Sequence, residues 1–228
     1  EGPRLVIERL YGDAGKLLYI PAARNPLKPD PPVADEHRIA MLRLAVEPAL
    51  IWTDEIDRAE FLRAKGHDLP SFTIDTLRRL RRLVPKRVAI RLLIGADQAA
   101  SFHLWRDARR IIRIAPPLVM PREPYASPDP LWRAMHESRY WTRAELRDWC
   151  ARLAPTPVIP AASTRLREAL RRAPADPLQW KGDPTLGLIP ALVARYICEH
   201  GLYGVGRIKP SGRRRVASRP PKDPKDGG

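Results

Sequence analysis

The segment Ala162-Ser163-Thr164-Arg165-Leu166-Arg167 follows a short apolar run and opens a stretch with helical character. Backbone N–H groups at a helix N-terminus have no partner inside the helix. Two hydroxyls placed there, with Arg167 about one turn further on, would add donors suited to a phosphate. The same residues also suit an ordinary Ser/Thr cap beside a solvated arginine. Three other stretches end strands or begin helices. Pro21-Ala22-Ala23-Arg24-Asn25-Pro26-Leu27-Lys28 leaves an apolar run, Ser71-Phe72-Thr73-Ile74-Asp75-Thr76-Leu77 opens a helix, and Gly95-Ala96-Asp97 closes the strongest strand. In a doubly wound sheet, ligands bind beyond the carboxyl ends of the strands, where such loops gather.

Other chemistries have less to work with. Cys150 and Cys198 are the only cysteines. They form neither a disulfide framework nor a C-x-x-C pair, and read as reduced core or helix-face residues. His37, His67, His103, His136 and His200 do not pair with one another at metal-ligand spacing. No metal site built by the protein is expected.

The elements that must position these stretches can be read from apolar periodicity. Leu5 to Leu10 suits a helix, and Leu17 to Ile20, ended by Pro21, a buried strand. A Pro-rich loop, Ala22 to Pro32, precedes an amphipathic helix over Asp35 to Glu47, and Leu50-Ile51-Trp52 reads as a strand. A helix is expected over Ser71 to Leu83, capped by Thr73 or Ser71, then a strand over Val88 to Ile94. Phe102 to Arg110 is expected helical, Leu118 to Met120 extended, and Leu131 to Ser138 and Thr142 to Leu153 helical. A Val158-Ile159 strand, a Ser163 to Arg172 helix and an Ile189 to His200 helix with Gly201 as its C-cap complete the order. Alternating strands and helices, with continuous apolar runs in the strands, point to an α/β fold with a largely parallel sheet.

The 228 residues suffice for one domain, or two small ones, with a real core. A hydrophobic fraction of 44% and six Trp exclude disorder throughout. The net charge is +15, and 33 of the 41 Lys and Arg residues are Arg. Such a balance first points to nucleic acid or an anionic surface. Much of it is placed otherwise. Residues 207–228 hold eight cations and two anions with almost no apolar residue, and read as a disordered basic tail after a domain spanning 1–206. Arg78 to Arg82 read as a solvated helix face. No run of 18 apolar residues exists and no signal peptide is recognisable, so a cytoplasmic protein without a membrane segment is expected. The first residue is Glu1 rather than Met.

Taken together, these stretches resemble bacterial nicotinate-nucleotide adenylyltransferases, of the nucleotidylyltransferase superfamily. The resemblance runs from about Gly2 to Tyr203. It rests on Pro21 with Asn25-Pro26-Leu27-Lys28, on Arg38-Ile39-Ala40-Met41-Leu42, and on Ser71-Phe72-Thr73-Ile74-Asp75-Thr76-Leu77. Gly95-Ala96-Asp97 with Trp105, Leu118-Val119-Met120-Pro121-Arg122, and Ser163-Thr164-Arg165-Leu166-Arg167 follow. The closing run is Val193-Ala194-Arg195-Tyr196-Ile197-Cys198-Glu199-His200-Gly201-Leu202-Tyr203. Each is weak alone; seven in the right order make a specific signal.

The resemblance implies a Rossmann-like α/β enzyme, its mostly parallel sheet flanked by helices on both faces. It would transfer the adenylyl group of ATP, with Mg²⁺, to nicotinate mononucleotide, giving deamido-NAD and pyrophosphate in NAD biosynthesis. By position, Asp97, Gly95, Ser163, Thr164, Arg167 and Arg122 would hold ATP. Thr73, Trp105, Asn25 and Lys28 would hold the nicotinate nucleotide, with Trp105 stacked on the pyridine ring. His200 and Tyr203 are read as structural. Neither membrane nor nucleic acid is an expected partner, and the oligomeric state stays open.

The sequence departs from the family at its start. The family opens with a strand and Gly-Gly-x-Phe-x-Pro-x-His-x-Gly-His, whose histidines stabilise charge on the transferring phosphate. Aligning Glu1-Gly2 with the x-Gly of that motif puts Pro3 at the second His and leaves the first strand missing. Proline has no titratable group to replace the imidazole. The chain is therefore expected to turn over slowly, as a fragment or as a diverged member. Arg122-Glu123-Pro124 stands where Arg-Pro-Gly is usual, and Arg106 follows the stacking Trp. Two other readings compete: a catalytically weakened nucleotide-binding or nucleic-acid-binding relative, and an adenylyltransferase acting on phosphopantetheine. Ser71 to Thr76 with Trp105 argues against the latter.

Overall fold

The computed structural model describes residues 2–24, 33–46, 50–158 and 163–206. The order begins with helix α1 (Gly2–Tyr11), strand β1 (Leu18–Tyr19), α2 (Asp35–Ala45), β2 (Leu50–Ile51), α3 (Asp54–Ala64) and α4 (Thr73–Leu83). It continues with β3 (Leu92–Gly95), α5 (Ala96–Ala100), α6 (Ala108–Ile114), β4 (Pro117–Met120), α7 (Pro128–Glu137), α8 (Arg143–Ala151), α9 (Ser163–Arg171) and α10 (Ala191–His200). The fold is α/β and Rossmann-like. Both strand pairs, β1 with β2 and β3 with β4, run parallel. Among the described residues the two pairs do not join into one sheet.

The β3–β4 pair has helices on both faces, as its continuous apolar sequence requires. Leu93, Leu118 and Met120 pack with Val6 of α1. Leu92, Ile94 and Val119 turn the other way, into a core built with Ile74 and Leu77 of α4, Ile111 of α6, Leu131 and Met135 of α7, and Leu146 and Trp149 of α8. Phe102 is fully buried there, edge-on to Trp149 at 5.0 Å between ring centroids. A second cluster joins Leu170 of α9, Trp180 and Leu186 to Val193, Ile197 and Cys198 of α10, with Met41 of α2 against it. Cys198 is thus a core residue. The register pairs Gly95 with Met120, so both strands end side by side.

Several expected elements differ. The Val88 to Ile94 strand is extended only from Leu92, because Val88 closes a turn on Pro85 O and the Arg81 guanidinium gathers the carbonyls of Val84, Pro85 and Val88. Phe102 to Arg110 is not one helix. A 3₁₀ turn spans Phe102–Leu104, Trp105 is extended, and Asp107 is left-handed at φ 57°, which a continuing helix cannot accommodate. The N-cap of α4 is Phe72 and no side chain caps it, so neither Thr73 nor Ser71 plays that part. Helices α3 and α5 are additional.

The Arg-rich face of α4 is engaged rather than merely solvated. Arg78 pairs with Asp75 and Asp107, and Arg79 with Asp54. Gly201 ends α10 in the left-handed conformation at φ 63°. Asn25 to Pro32, Ile159 and the 207–228 tail lie outside the described residues, and Val158 stands in no strand.

Candidate active site

The ends of β3 and β4 bring three expected site residues together. Gly95 is the last residue of β3, and Asp97 stands in the first turn of α5. Arg122 comes two residues after Met120, and its Nη1 meets Asp97 Oδ1 at 3.4 Å, with both side chains about one-third exposed. The Asp97 carboxylate folds back over Gly95, where a Cβ would stand 2.5 Å from Oδ1. A side chain at this position would require the carboxylate to shift, while the φ of Gly95 is one that any residue adopts.

A second group forms around the N-terminus of α4. Thr73 is its first residue and half-buried, and no described hydrogen bond engages its hydroxyl. The Arg106 guanidinium lies over the Phe72 ring at 4.8 Å, which ties this helix start to the turn at Trp105. Trp105 stacks on Phe102 with centroids 4.7 Å apart. Its indole Nε1 is buried and has no described partner. The expected pair Thr73 and Trp105 thus belongs to one neighbourhood.

The segment leaving β1 is held at Ala22 and Arg24. Ala22 O accepts from Arg38 Nη2 at 2.6 Å, and Arg24 O accepts from Ser71 N at 3.1 Å. Helix α2 and the approach to α4 therefore fix the chain as far as Arg24. Asn25 and Lys28 themselves lie outside the described residues. Burial pushes the Glu55 carboxyl up, while hydrogen bonds from Thr76 and Ala23 and the charge of Arg79 oppose that shift.

Ser163 and Thr164 begin α9, and Thr164 and Arg167 are exposed. Burial raises the Tyr203 hydroxyl pKa, and the charges of Arg167 and Arg38 oppose that shift. Tyr203 adopts a left-handed φ of 56°. His200 stacks on Tyr196 at 4.0 Å, and Tyr196 OH is 2.9 Å from His37 Nδ1, linking α10 to α2. Pro3 occupies the first turn of α1, a position where its missing N–H costs nothing.

Sequence reasoning missed Glu55, and it named Thr76 and Arg38 only as members of motifs, with no role of their own. An acid in a first helical turn ordinarily signals a favourable macrodipole contact at the surface, so no pattern marked Glu55 as buried. Arg38 was visible only as a member of a helix. Among the described residues, no three His, Cys, Asp or Glu groups form a metal cage.

Open α/β sheets receive nucleotides at strand-end loops and helix N-termini. No protein-family model matches the chain. Curated relatives do. A Xylella fastidiosa (strain M12) protein named "Probable nicotinate-nucleotide adenylyltransferase" is 30% identical over 204 residues, 84% of this chain and 85% of the relative. A protein of the same name from Bordetella petrii is 36% identical over 191 residues, 81% of each. One from Rhodopirellula baltica is 43% identical over 98 residues, 42% of each. The chain belongs to the nicotinate-nucleotide adenylyltransferase family. No helix among the described residues is long and apolar enough to cross a membrane.

Proposed function

We propose that this chain binds MgATP and nicotinate mononucleotide and aligns them for adenylyl transfer. A mononucleotide phosphate oxygen attacks the α-phosphorus of ATP in line. One P–O bond forms, the bond to the β-phosphate bridge breaks, and pyrophosphate leaves with deamido-NAD as the other product. The observation that carries this reading is the family relationship over 84% of the chain. Transfer of this kind depends on positioning and charge neutralisation more than on a protein nucleophile.

The roles divide by neighbourhood. Asp97, steered by Arg122 and seated over Gly95, holds the nucleoside end of ATP beyond β3. The N-terminus of α9, with Ser163, Thr164 and Arg167, takes the triphosphate. Thr73 and the Trp105 ring take the pyridine, and Asn25 and Lys28 the mononucleotide phosphate. Mg²⁺ suits this set as a passenger on the triphosphate, since it binds readily through substrate phosphates with few protein ligands. Bound with ATP beside Ser163, Thr164 and Arg167, it would supply neutralisation of the charge that develops on the leaving pyrophosphate.

Incubation with MgATP and nicotinate mononucleotide should release pyrophosphate. The family's histidine motif is absent from residues 1–228, with Pro3 at the aligned position. Turnover should therefore rise at least about a hundredfold when a Gly-Gly-x-Phe-x-Pro-x-His segment precedes Glu1. Equal rates would overturn the role given to that motif. No turnover by either form, with the mononucleotide or its amide, would overturn the reading itself.

A further inference from the structure

We propose that Arg106 is a specificity-determining residue, which makes the site prefer a pyridine nucleotide carrying a carboxylate over one carrying a neutral carboxamide. The inference rests on the function proposed above, in which Thr73 and Trp105 take the pyridine ring. Arg106 directly follows Trp105 and is exposed. Its guanidinium carbon lies 4.8 Å from the centre of the Phe72 ring, and Phe72 directly precedes Thr73 as the N-cap of α4. Arg106 is thus joined by the chain to one residue assigned to the ring, and by contact to the neighbour of the other.

That charge is not spent inside the fold. Among the described residues no hydrogen bond or ion pair engages the Arg106 guanidinium. Asp75 and Asp107, the acids nearest to Phe72 and Arg106 along the chain, are both paired with Arg78. The Phe72 ring attracts the cation to its face but offers no acceptor to its N–H groups. No side chain caps α4, so the positive end of an 11-residue helix adds to the same field. The three groups differ in what they can distinguish. Stacking on Trp105 treats acid and amide alike, because the ring is common to both. The Thr73 hydroxyl donates or accepts and so serves either. Arg106 only donates. A carboxylate can accept two parallel, charge-assisted bonds from it. A carboxamide offers one oxygen without a full charge and carries donors of its own.

The test measures equilibrium binding of nicotinate mononucleotide, nicotinamide mononucleotide and ATP, each alone, to wild type, Arg106→Gln and Arg106→Lys. Arg106→Gln should weaken binding of the acid about tenfold and leave the amide and ATP within about twofold. Arg106→Lys should fall between, because an ammonium keeps the charge without the fork. Arg106 is exposed, so added salt should narrow the wild-type preference and leave that of Arg106→Gln unmoved. A folded Arg106→Gln with the wild-type preference would overturn the proposal. So would equal losses for acid and amide, which assign the residue to the Phe72 contact alone. Should Arg106→Gln not fold, salt decides on wild type: a preference that narrows supports the role, and one indifferent to salt overturns it. Failure of wild type to bind ATP and both mononucleotides would instead sink the proposed function.

Discussion

The Asp97 carboxylate lies so close over Gly95 that any Cβ at that position would meet Oδ1 at 2.5 Å. A methyl group there forces the acid to shift from its place beside Arg122. Gly95→Ala should therefore raise the KM for MgATP about tenfold, about 1.4 kcal/mol of binding, while the KM for nicotinate mononucleotide holds. Steady-state kinetics at varied ATP checks this. An unchanged ATP KM would mean that the acid is not held for the nucleotide.

Trp105 offers a flat face that is already stacked on Phe102 from one side. An aromatic pair contributes about 0.5–1.5 kcal/mol beyond simple burial. Trp105→Ala should weaken nicotinate mononucleotide binding by roughly threefold to tenfold, and Trp105→Phe by less. ATP binding should be the same in both. Titration calorimetry with each ligand separates these outcomes.

Arg167 is exposed and one turn into α9. Exposed substitutions seldom change stability by more than about 0.5 kcal/mol. Arg167→Ala should leave the melting temperature almost unmoved and still raise the KM for ATP about tenfold. Arg167→Lys should recover only part of that loss, because an ammonium cannot reproduce a forked contact to phosphate. A large fall in melting temperature without a kinetic effect would reassign the residue to the fold.

The start of α8 carries a pH dependence of known sign. Thr142 and Glu145 form a reciprocal capping box, and Arg109 bonds the same carboxylate at 2.8 Å. The guanidinium, with the box behind it, holds the Glu145 pKa down to about 2 from an ordinary 4.5. A depressed carboxyl pKa stabilises the fold above the ordinary value, and the contribution fades as pH falls from about 4.5 toward about 2. Glu145→Gln keeps the box but loses the charge. Its melting temperature should lie below that of wild type near neutrality and converge with it toward pH 2. Glu145→Ala, which also breaks the box, should cost about 1 kcal/mol and lower the melting temperature by about 2–4 °C.

Element order was largely legible because it follows from apolar runs and their periods. Leu118-Val119-Met120 reads as a buried strand since both of its faces are covered, and the structure covers them. Helix α3 was not legible. Its buried side includes Glu55 beside Ile56, while Phe61 is 60% exposed, so no apolar stripe announces it. The break at Trp105 escaped for a different reason: helix-forming residues flank it, and the extended Trp105 and left-handed Asp107 stop the run. For the site, Gly95-Ala96-Asp97 was visible as a strand end. Its pairing with Arg122 was not, because it depends on the register between β3 and β4, which no local pattern encodes.

That register also governs which changes of chain length the site can absorb. Gly95 and Met120 are ladder partners, and Asp97 and Arg122 each follow by two residues. The two functional groups are spaced by equal leads from one common rung. Extra residues in the turn between Val84 and Arg91, or in the connection from Trp105 to Asp107, fall outside that count and leave the spacing intact. A single insertion between Gly95 and Asp97, or between Met120 and Arg122, makes the leads unequal and separates acid from guanidinium. Length variation among relatives should therefore be permitted before these strands and forbidden just after them.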